Sequence, residues 1–440
     1  MFTFTFIVVP LLLSAQPALS SQSLFRPWNL SSYCNAPHVN ASHYERPEGE
    51  GAELIHLSVL MRHHKRAPVA LVPNEREIDI DTNWDCSGVQ QFTYDGGGAR
   101  LSHTVNTPPA HPFAQQIWAG TCDVGQLTSG GFYDARAHGK DLWRLYHTRL
   151  GFLHAVVPSE ISVRTTYVDR TKHVASGVLA GMDHSTIKRK WPTHVQPQME
   201  NSLGPSYKCP RADALIAAAQ SAPVWQDVLK KHSALIERLD TVLGTRDSKV
   251  VWPSTFAFYQ DVLTSRVCND HPLPCNAAGD CVSEQDAAEI FELGNYEFDY
   301  LYHRAENAAE YVQLTFGVMF SELADALEAP SHHRLALYVA HDSSIIRLAA
   351  GLEIFPLRWP RLGSEVVIEV WKDKNKKRFV RVLYDGEIVD SLRWIPFGDF
   401  IGLLRRQVPA HLFEKCTSTS NDVEGTKQLK MPLALTVQEV

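Results

Sequence analysis

The chain has 440 residues, 44% of them hydrophobic and 21% charged, and a formal net charge of −7. These are the proportions of an ordinary globular protein, and they lack the basic bias of a nucleic-acid binder. Twenty histidines are many: protonating all of them against ionised carboxylates adds 20 charges, from −7 to +13, so mildly acidic solution changes this surface strongly.

Residues 1–20, MFTFTFIVVPLLLSAQPALS, hold an apolar core from Phe6 to Leu13 and end in Ala18-Leu19-Ser20, small residues where a signal peptidase cuts. The run is too short to span a bilayer, and Pro10 interrupts it. A secretory leader is expected, and no later stretch approaches a span, so the mature chain is expected to be exported without a membrane anchor. Cys34, Cys86, Cys122, Cys209, Cys268, Cys275, Cys281 and Cys416 suit an oxidising compartment. They are scattered without a CxxC pair, which speaks for four disulfides of open pairing and against a zinc ribbon. Asn29-Leu30-Ser31 and Asn40-Ala41-Ser42 are glycosylation sequons.

The apolar run Leu54–Leu60 suits a buried strand. It leads into Met61-Arg62-His63-His64-Lys65-Arg66-Ala67-Pro68, where Pro68 stops a regular continuation. Arginines flanking a histidine at a strand's carboxyl end make an anion pocket, because ligands of open α/β sheets sit there and the guanidinium fork matches phosphate. A solvated basic turn is the plain alternative. Gly125-Gln126-Leu127-Thr128 precedes a helix, with Thr128 or Ser129 near its N-cap and Phe132, Ala135, Leu142, Leu145 and Tyr146 close to one face. Ile161-Ser162-Val163 reads as a second strand with Arg164 at its end and a helix opening near Asp169. Residues 190–330 turn helical, over Asp213–Ala219, Val224–Leu243 and Tyr311–Leu327. Leu335–Ala340 is a third buried strand ending in His341-Asp342, followed by a helix Ile345–Leu352 capped by Ser343 or Ser344. Locally, Asp342 reads equally well as an N-cap. Val366–Trp371 and Phe379–Tyr384 alternate as two antiparallel strands, and the chain after Cys416 is a polar tail.

Four of these stretches, taken together, resemble the histidine acid phosphatase family of the histidine phosphatase superfamily. Arg62-His63-x-x-Arg66-x-Pro68 is similar to its RHGxRxP signature, Gly125–Thr128 to its GQLT, Arg164–Thr171 (RTTYVDRT) to its RSTDVDRT, and His341-Asp342 to its HD dipeptide. The resemblance implies an α/β fold: a mixed, mainly parallel sheet with helices on both faces, plus a smaller, mostly helical cap. The expected division is a leader at 1–20, a discontinuous phosphatase domain at 21–190 and 331–415, a helical insert at 191–330 and a tail at 416–440. It implies a secreted or vacuolar phosphomonoesterase acting on small phosphomonoesters, with no cofactor and no metal. His63 would be the nucleophile, Arg62, Arg66, Arg164 and His341 the phosphate binders, and Asp342 the proton donor.

Two departures stand out. His64 replaces the family's glycine and would narrow the pocket, alter specificity or mark a poor catalyst. Tyr167 replaces the aspartate of RSTD. A catalytically weak or inactive phosphate-binding member is therefore the alternative function. A phosphate-transferring mutase fits less well with export, and a zinc hydrolase on His63, His64 and His341 less well with arginines that would repel a cation. Phytate, general phosphomonoesters and sugar phosphates are all open as substrates, as is the oligomeric state.

Overall fold

A computed structural model describes residues 30–47, 51–69, 72–74, 84–89, 91–92, 101–102, 120–246, 248, 251–253, 255–329 and 333–418. The expected leader, Asn29 and the end of the tail lie outside the described residues.

The first strand, β1 (Glu53–Arg62), is longer than the apolar run predicts and takes in Met61 and Arg62. The strands that follow in the main sheet are β2 (Ile161–Thr165), β3 (His194–Val195), β4 (Leu335–Ala340), β5 (Glu365–Lys372), β6 (Arg378–Tyr384), β7 (Glu387–Ile388) and β8 (Ile395–Pro396). Their order is β8-β6-β5-β1-β4-β2-β3, with β7 beside β6. The run β1-β4-β2-β3 is parallel, whereas β5, β6 and β8 form an antiparallel wing. A strand buried on both faces must be apolar throughout, which is why β1 and β4 read as unbroken hydrophobic runs.

Eleven helices are numbered here in chain order. On one face lie α1 (Ser129–Trp143) and α2 (Asp169–Met182). Leu142, Val174 and Val178 pack there with Leu57, Val59, Met61, Val163 and Leu337. The two helices meet backbone to backbone: a Cβ on Gly139 would lie 2.0 Å from the Val178 carbonyl oxygen. Thr128 caps α1, its Oγ1 accepting from the Gly131 amide at 3.2 Å.

The middle of the chain supplies α3 (Pro210–Ser221), α4 (Pro223–Lys231), α5 (Ser233–Leu243), α6 (Phe256–Val267) and α7 (Glu284–Asp299). The single helix expected over Val224–Leu243 is two, broken at His232. Sequence periodicity also missed α6 and α7. The start of α7 was legible in retrospect, because Ser283 and Asp286 form a reciprocal capping box. Trp225, Phe256, Tyr259, Phe291 and Trp359 make the apolar centre of this block.

The other face of the sheet carries α8 (Ala308–Glu328), α9 (Asp342–Gly351) and α10 (Phe397–Arg406), and α11 (Leu412–Thr417) ends the described chain. Phe316, Phe320, Ile345 and Leu404 pack there against Leu60, Ala336, Ile368 and Val380. Thus α8, although within 191–330, covers the sheet. The helix α9 begins at Asp342, three residues earlier than expected, and no serine side chain caps it. Ser344 instead donates to the Leu203 carbonyl at 2.6 Å.

All eight cysteines are paired: Cys34–Cys268, Cys86–Cys122, Cys209–Cys416 and Cys275–Cys281. The first ties the segment before β1 to the end of α6, and the third ties α3 to α11. No helix among the described residues is long and apolar enough to cross a membrane.

Candidate active site

Parallel register brings the expected residues to one end of the sheet. Arg62 stands opposite Ala340 in the β1–β4 pair, so His63 and His341 leave adjacent strand ends side by side. The His63 amide donates to the Ala340 carbonyl at 3.0 Å, and the two imidazoles sit 5.5 Å apart, edge to face.

His63 is 2% exposed, and its Nδ1 lies 2.9 Å from the His64 carbonyl oxygen. A carbonyl only accepts, so Nδ1 carries the proton and Nε2 keeps its lone pair. Burial, then Arg170, Arg62, Arg66 and His341, hold this imidazole well below its ordinary value. The neutral, nucleophilic form therefore persists into mildly acidic solution.

Arg62 is 1% exposed. Its Nη1 donates to the Tyr33 hydroxyl at 2.9 Å and to the Pro360 carbonyl, and its Nη2 meets Asp342 Oδ2 at 2.8 Å. The Tyr33 hydroxyl in turn donates to the Pro360 carbonyl at 2.9 Å. The Arg62 and Arg66 Nε atoms are buried without a partner, two donors open to an oxyanion. Arg66 otherwise donates to the Ala67 carbonyl and pairs with Asp261 at 2.6 Å.

Asp342 is the first residue of α9. Its Oδ1 accepts the Ser343 amide at 2.7 Å and its Oδ2 the Trp359 indole at 2.8 Å. Burial raises its pKa, but Arg62, the Trp359 hydrogen bond and Arg66 outweigh that and hold the carboxyl below its ordinary value. The N-cap position is His341, so Asp342 is not the cap but the first residue of the helix, held beside Arg62.

His341 lies between Thr166 and Arg170. An arginine only donates, so Nδ1, 3.4 Å from Arg170 Nη2, accepts. Nε2 then donates to Thr166 Oγ1 at 2.9 Å, and the hydroxyl chain continues to Thr171 and the Val168 carbonyl. Burial followed by Arg170, Arg62 and Arg66 lowers the His341 pKa strongly.

Arg164 does not join this group, a correction to the sequence reading. Strand residues alternate faces. Val163 enters the core with α1 and α2, and Arg164 turns to the opposite side, donating to Glu322 at 2.9 Å, Gln196 at 2.7 Å and Ser202 at 2.6 Å. The arginine of this segment felt by His63 is Arg170, the second residue of α2. It lay within the quoted RTTYVDRT segment, and the strand-end rule alone pointed to the wrong arginine. Tyr33, Trp359 and Asp261 were also missed; nothing in their local sequence marks them.

His64 is 1% exposed but packs away from the arginines, against Gly363 and edge-on to His138, 5.6 Å between ring centres. Gly363 has φ of +73°, and a Cβ there would lie 2.5 Å from His64 Cε1. The glycine absent after His63 is matched by a glycine on the segment that receives the His64 imidazole. His63, His64 and His341 do not converge, and among the described residues no group of three or more histidine, cysteine or carboxylate side chains is gathered for a metal ion.

A neutral buried histidine ringed by arginines, with a carboxylate at its edge, defines a phosphoryl-transfer site on an α/β fold. A family model, the histidine phosphatase superfamily (branch 2), matches residues 53–385, and the chain belongs to that family. It is 25% identical over 382 residues to counting factor 60 of Dictyostelium discoideum, covering 81% of this chain and 84% of that one. It is 22% identical to human 2-phosphoxylose phosphatase 1 (80% and 75% covered) and 24% identical to human lysosomal acid phosphatase (73% and 78%). Its fold is similar to Hafnia alvei phytase, with a TM-score of 0.56 at 15% identity over 83% of this chain and 98% of that one. Klebsiella phytase gives 0.54 at 16% identity (81% and 96%). The protein is a phosphomonoester hydrolase of the histidine acid phosphatase type.

Proposed function

We propose that this hydrolase works in the secretory pathway through a phosphohistidine on His63, with Asp342 as proton donor. The observation that carries the reading is the His63 tautomer: Nδ1–H on the His64 carbonyl leaves Nε2 free beside Arg62, Arg66 and Arg170. Nε2 attacks phosphorus, the ester P–O bond breaks, and Asp342 protonates the departing oxygen. Water then attacks the phosphohistidine, Asp342 takes the water's proton, and orthophosphate leaves. Arg62, Arg66 and Arg170, the last oriented by His341, stabilise the charge that spreads over the three equatorial oxygens. No metal is required, because guanidinium groups supply the positive charge.

Asp342 needs a proton for this role, and Arg62 and Trp359 favour its ionised form. A phosphate monoanion brings one. Its oxygens engage Arg62 and repel the carboxylate, which raises the Asp342 pKa and draws the proton onto it. Hydrolysis should therefore favour mildly acidic solution. His64 packs on Gly363 and His138, which supports an active enzyme over an inactive member.

The site of action is extracellular or vacuolar, after removal of residues 1–20. Four disulfides support export, as does the resemblance to a lysosomal acid phosphatase. Glycans are placed on Asn29 and Asn40.

Rapid-quench kinetics of the purified, secreted protein test the mechanism. Acid-labile, base-stable phosphoenzyme should form from 4-nitrophenyl phosphate, and His63→Ala should form none. Asp342→Asn should slow the burst from an alkyl phosphate by about 10²–10⁴-fold and that from the nitrophenyl ester far less, since nitrophenolate leaves without a proton. Phosphoenzyme in folded His63→Ala, or equal burst losses for both esters, overturns the respective assignment.

A further inference from the structure

We propose that Asp261 is a specificity-determining residue: its carboxylate, held on Arg66 in the anion pocket, directs the enzyme to phosphomonoesters whose leaving group bears no further phosphate. This rests on the phosphatase reading above and adds the substrate class.

Asp261 comes from α6, far in sequence from every motif. Its Oδ1 lies 2.6 Å from Arg66 Nη2, and the two side chains are only 14% and 8% exposed. The contact is built rather than incidental. Asn269, just past α6, donates to the Arg66 carbonyl at 3.2 Å and accepts from Thr128 at 2.8 Å. Cys268 ties the same helix end to Cys34, next to Tyr33. Asp261 and Asp342 both act electrostatically on the Tyr33 phenol and on Arg62. Tyr33 accepts from Arg62, whose other nitrogen holds Asp342, so the helix that carries Asp261 is tied to the edge of the pocket that holds the proposed proton donor.

The charges give the selectivity. Three guanidinium groups, Arg62, Arg66 and Arg170, surround His63, and two carboxylates, Asp342 and Asp261, pair with Arg62 and Arg66. Three positive against two negative leaves +1, which one phosphate monoanion neutralises. A second phosphate on the leaving group would approach two carboxylates at short range, with much of the water excluded, where like charges repel strongly. Two cations next to the pocket residues in sequence are already paired, Lys65 with Asp134 and Arg361 with Asp385. A sugar or other neutral alcohol meets no such repulsion and finds carboxylate acceptors for its hydroxyls.

The test compares wild type with Asp261→Asn, which keeps the side-chain shape and a hydrogen-bonding oxygen for Arg66. For turnover, kcat/KM is measured at pH 5 on 4-nitrophenyl phosphate, a hexose monophosphate and inositol hexakisphosphate. For binding, calorimetry on the same proteins uses orthophosphate and inositol hexakisphosphate. The kcat/KM ratio of the hexakisphosphate to the monoesters should rise roughly tenfold, through KM, and the gain should shrink as salt is added. Binding of the hexakisphosphate should tighten more than that of orthophosphate. If all substrates and both ligands change in parallel, Asp261 merely positions Arg66 and the proposal fails. If no ester is hydrolysed by wild type, the phosphatase reading fails instead, and the two binding constants still decide the role of Asp261.

Discussion

Arg164 and Arg170 are six positions apart and fill opposite roles. Arg164 spends its guanidinium on Glu322, Gln196 and Ser202, holding the loop after β3 to α8. Arg170 faces His341 and lowers the His63 pKa. Truncating a donor to transition-state oxygens typically costs about 10²–10³-fold. Arg170→Ala should therefore cut kcat/KM on nitrophenyl phosphate by that order. Arg164→Ala should cost less than about tenfold and act mainly on melting temperature, since it leaves Glu322 without its cation. The reverse ranking would return Arg164 to the pocket and displace Arg170. Thr166 and Thr171 belong to the same scale: their hydroxyls orient His341, so its Nδ1 is the nitrogen turned toward Arg170.

Among the elements, the segment 359–364 organises the surroundings of His63. It supplies Trp359 to Asp342, the Pro360 carbonyl to Arg62 and Tyr33, and the Ser364 carbonyl to the Arg62 amide. The Gly363 amide donates to the His63 carbonyl at 3.1 Å. Behind it His64 completes a group with His138 and His38, the latter two stacked at 4.2 Å and held by Glu365 and Asp141. Gly363→Ala forces a methyl into the His64 ring and an alanine into positive φ. The summed cost should be about 2–4 kcal/mol. In a His64→Gly background the clash is gone, and only about 1 kcal/mol should remain for the backbone. Urea denaturation of the four proteins measures this coupling. Additive losses would mean that the two residues do not share the space.

Across the whole molecule, buried histidines set the pH response. His38, His56, His63, His64 and His341 all lie below their ordinary value, with burial the leading cause at each. Below about pH 6.5 the unfolded chain binds protons at these sites and the native protein does not. Stability is then full above that pH and is lost as pH falls through it, by up to about 1.4 kcal/mol per unit for each fully titrating group. Asp342, also lowered, adds a loss of the same sign further into acid. Glu297, pushed up by burial to about 7, and Asp385, also raised, work in the opposite direction. Asp213, also raised by burial, joins them, but five histidines outweigh these three, so the melting temperature should fall between pH 7 and pH 5 in phosphate-free buffer. A His64→Gly variant should fall less steeply. Scanning calorimetry checks both, and a melting temperature that rises into acid would show that these histidines are protonated in the native state.

What the sequence determined by itself is local: strand, turn and helix at each of the motifs. A buried strand such as β1 or β4 must be apolar along its length, and a cationic or His-Asp end on such a run is a candidate ligand-facing edge, which the four motifs in order then single out. His63, Arg62, Arg66, His341 and Asp342 were legible for that reason. Tertiary structure alone decided which way a side chain turns and what waits for it. Arg164 and Arg170 differ by strand pleat and helix phase. Tyr33, Asp261 and Trp359 reach the site from the N-terminal segment, α6 and the 359–364 segment. A hydrogen bond is made or lost within a few tenths of an ångström. The contact from Arg62 to the Pro360 carbonyl spans 298 positions in sequence, and no spacing along the chain encodes it.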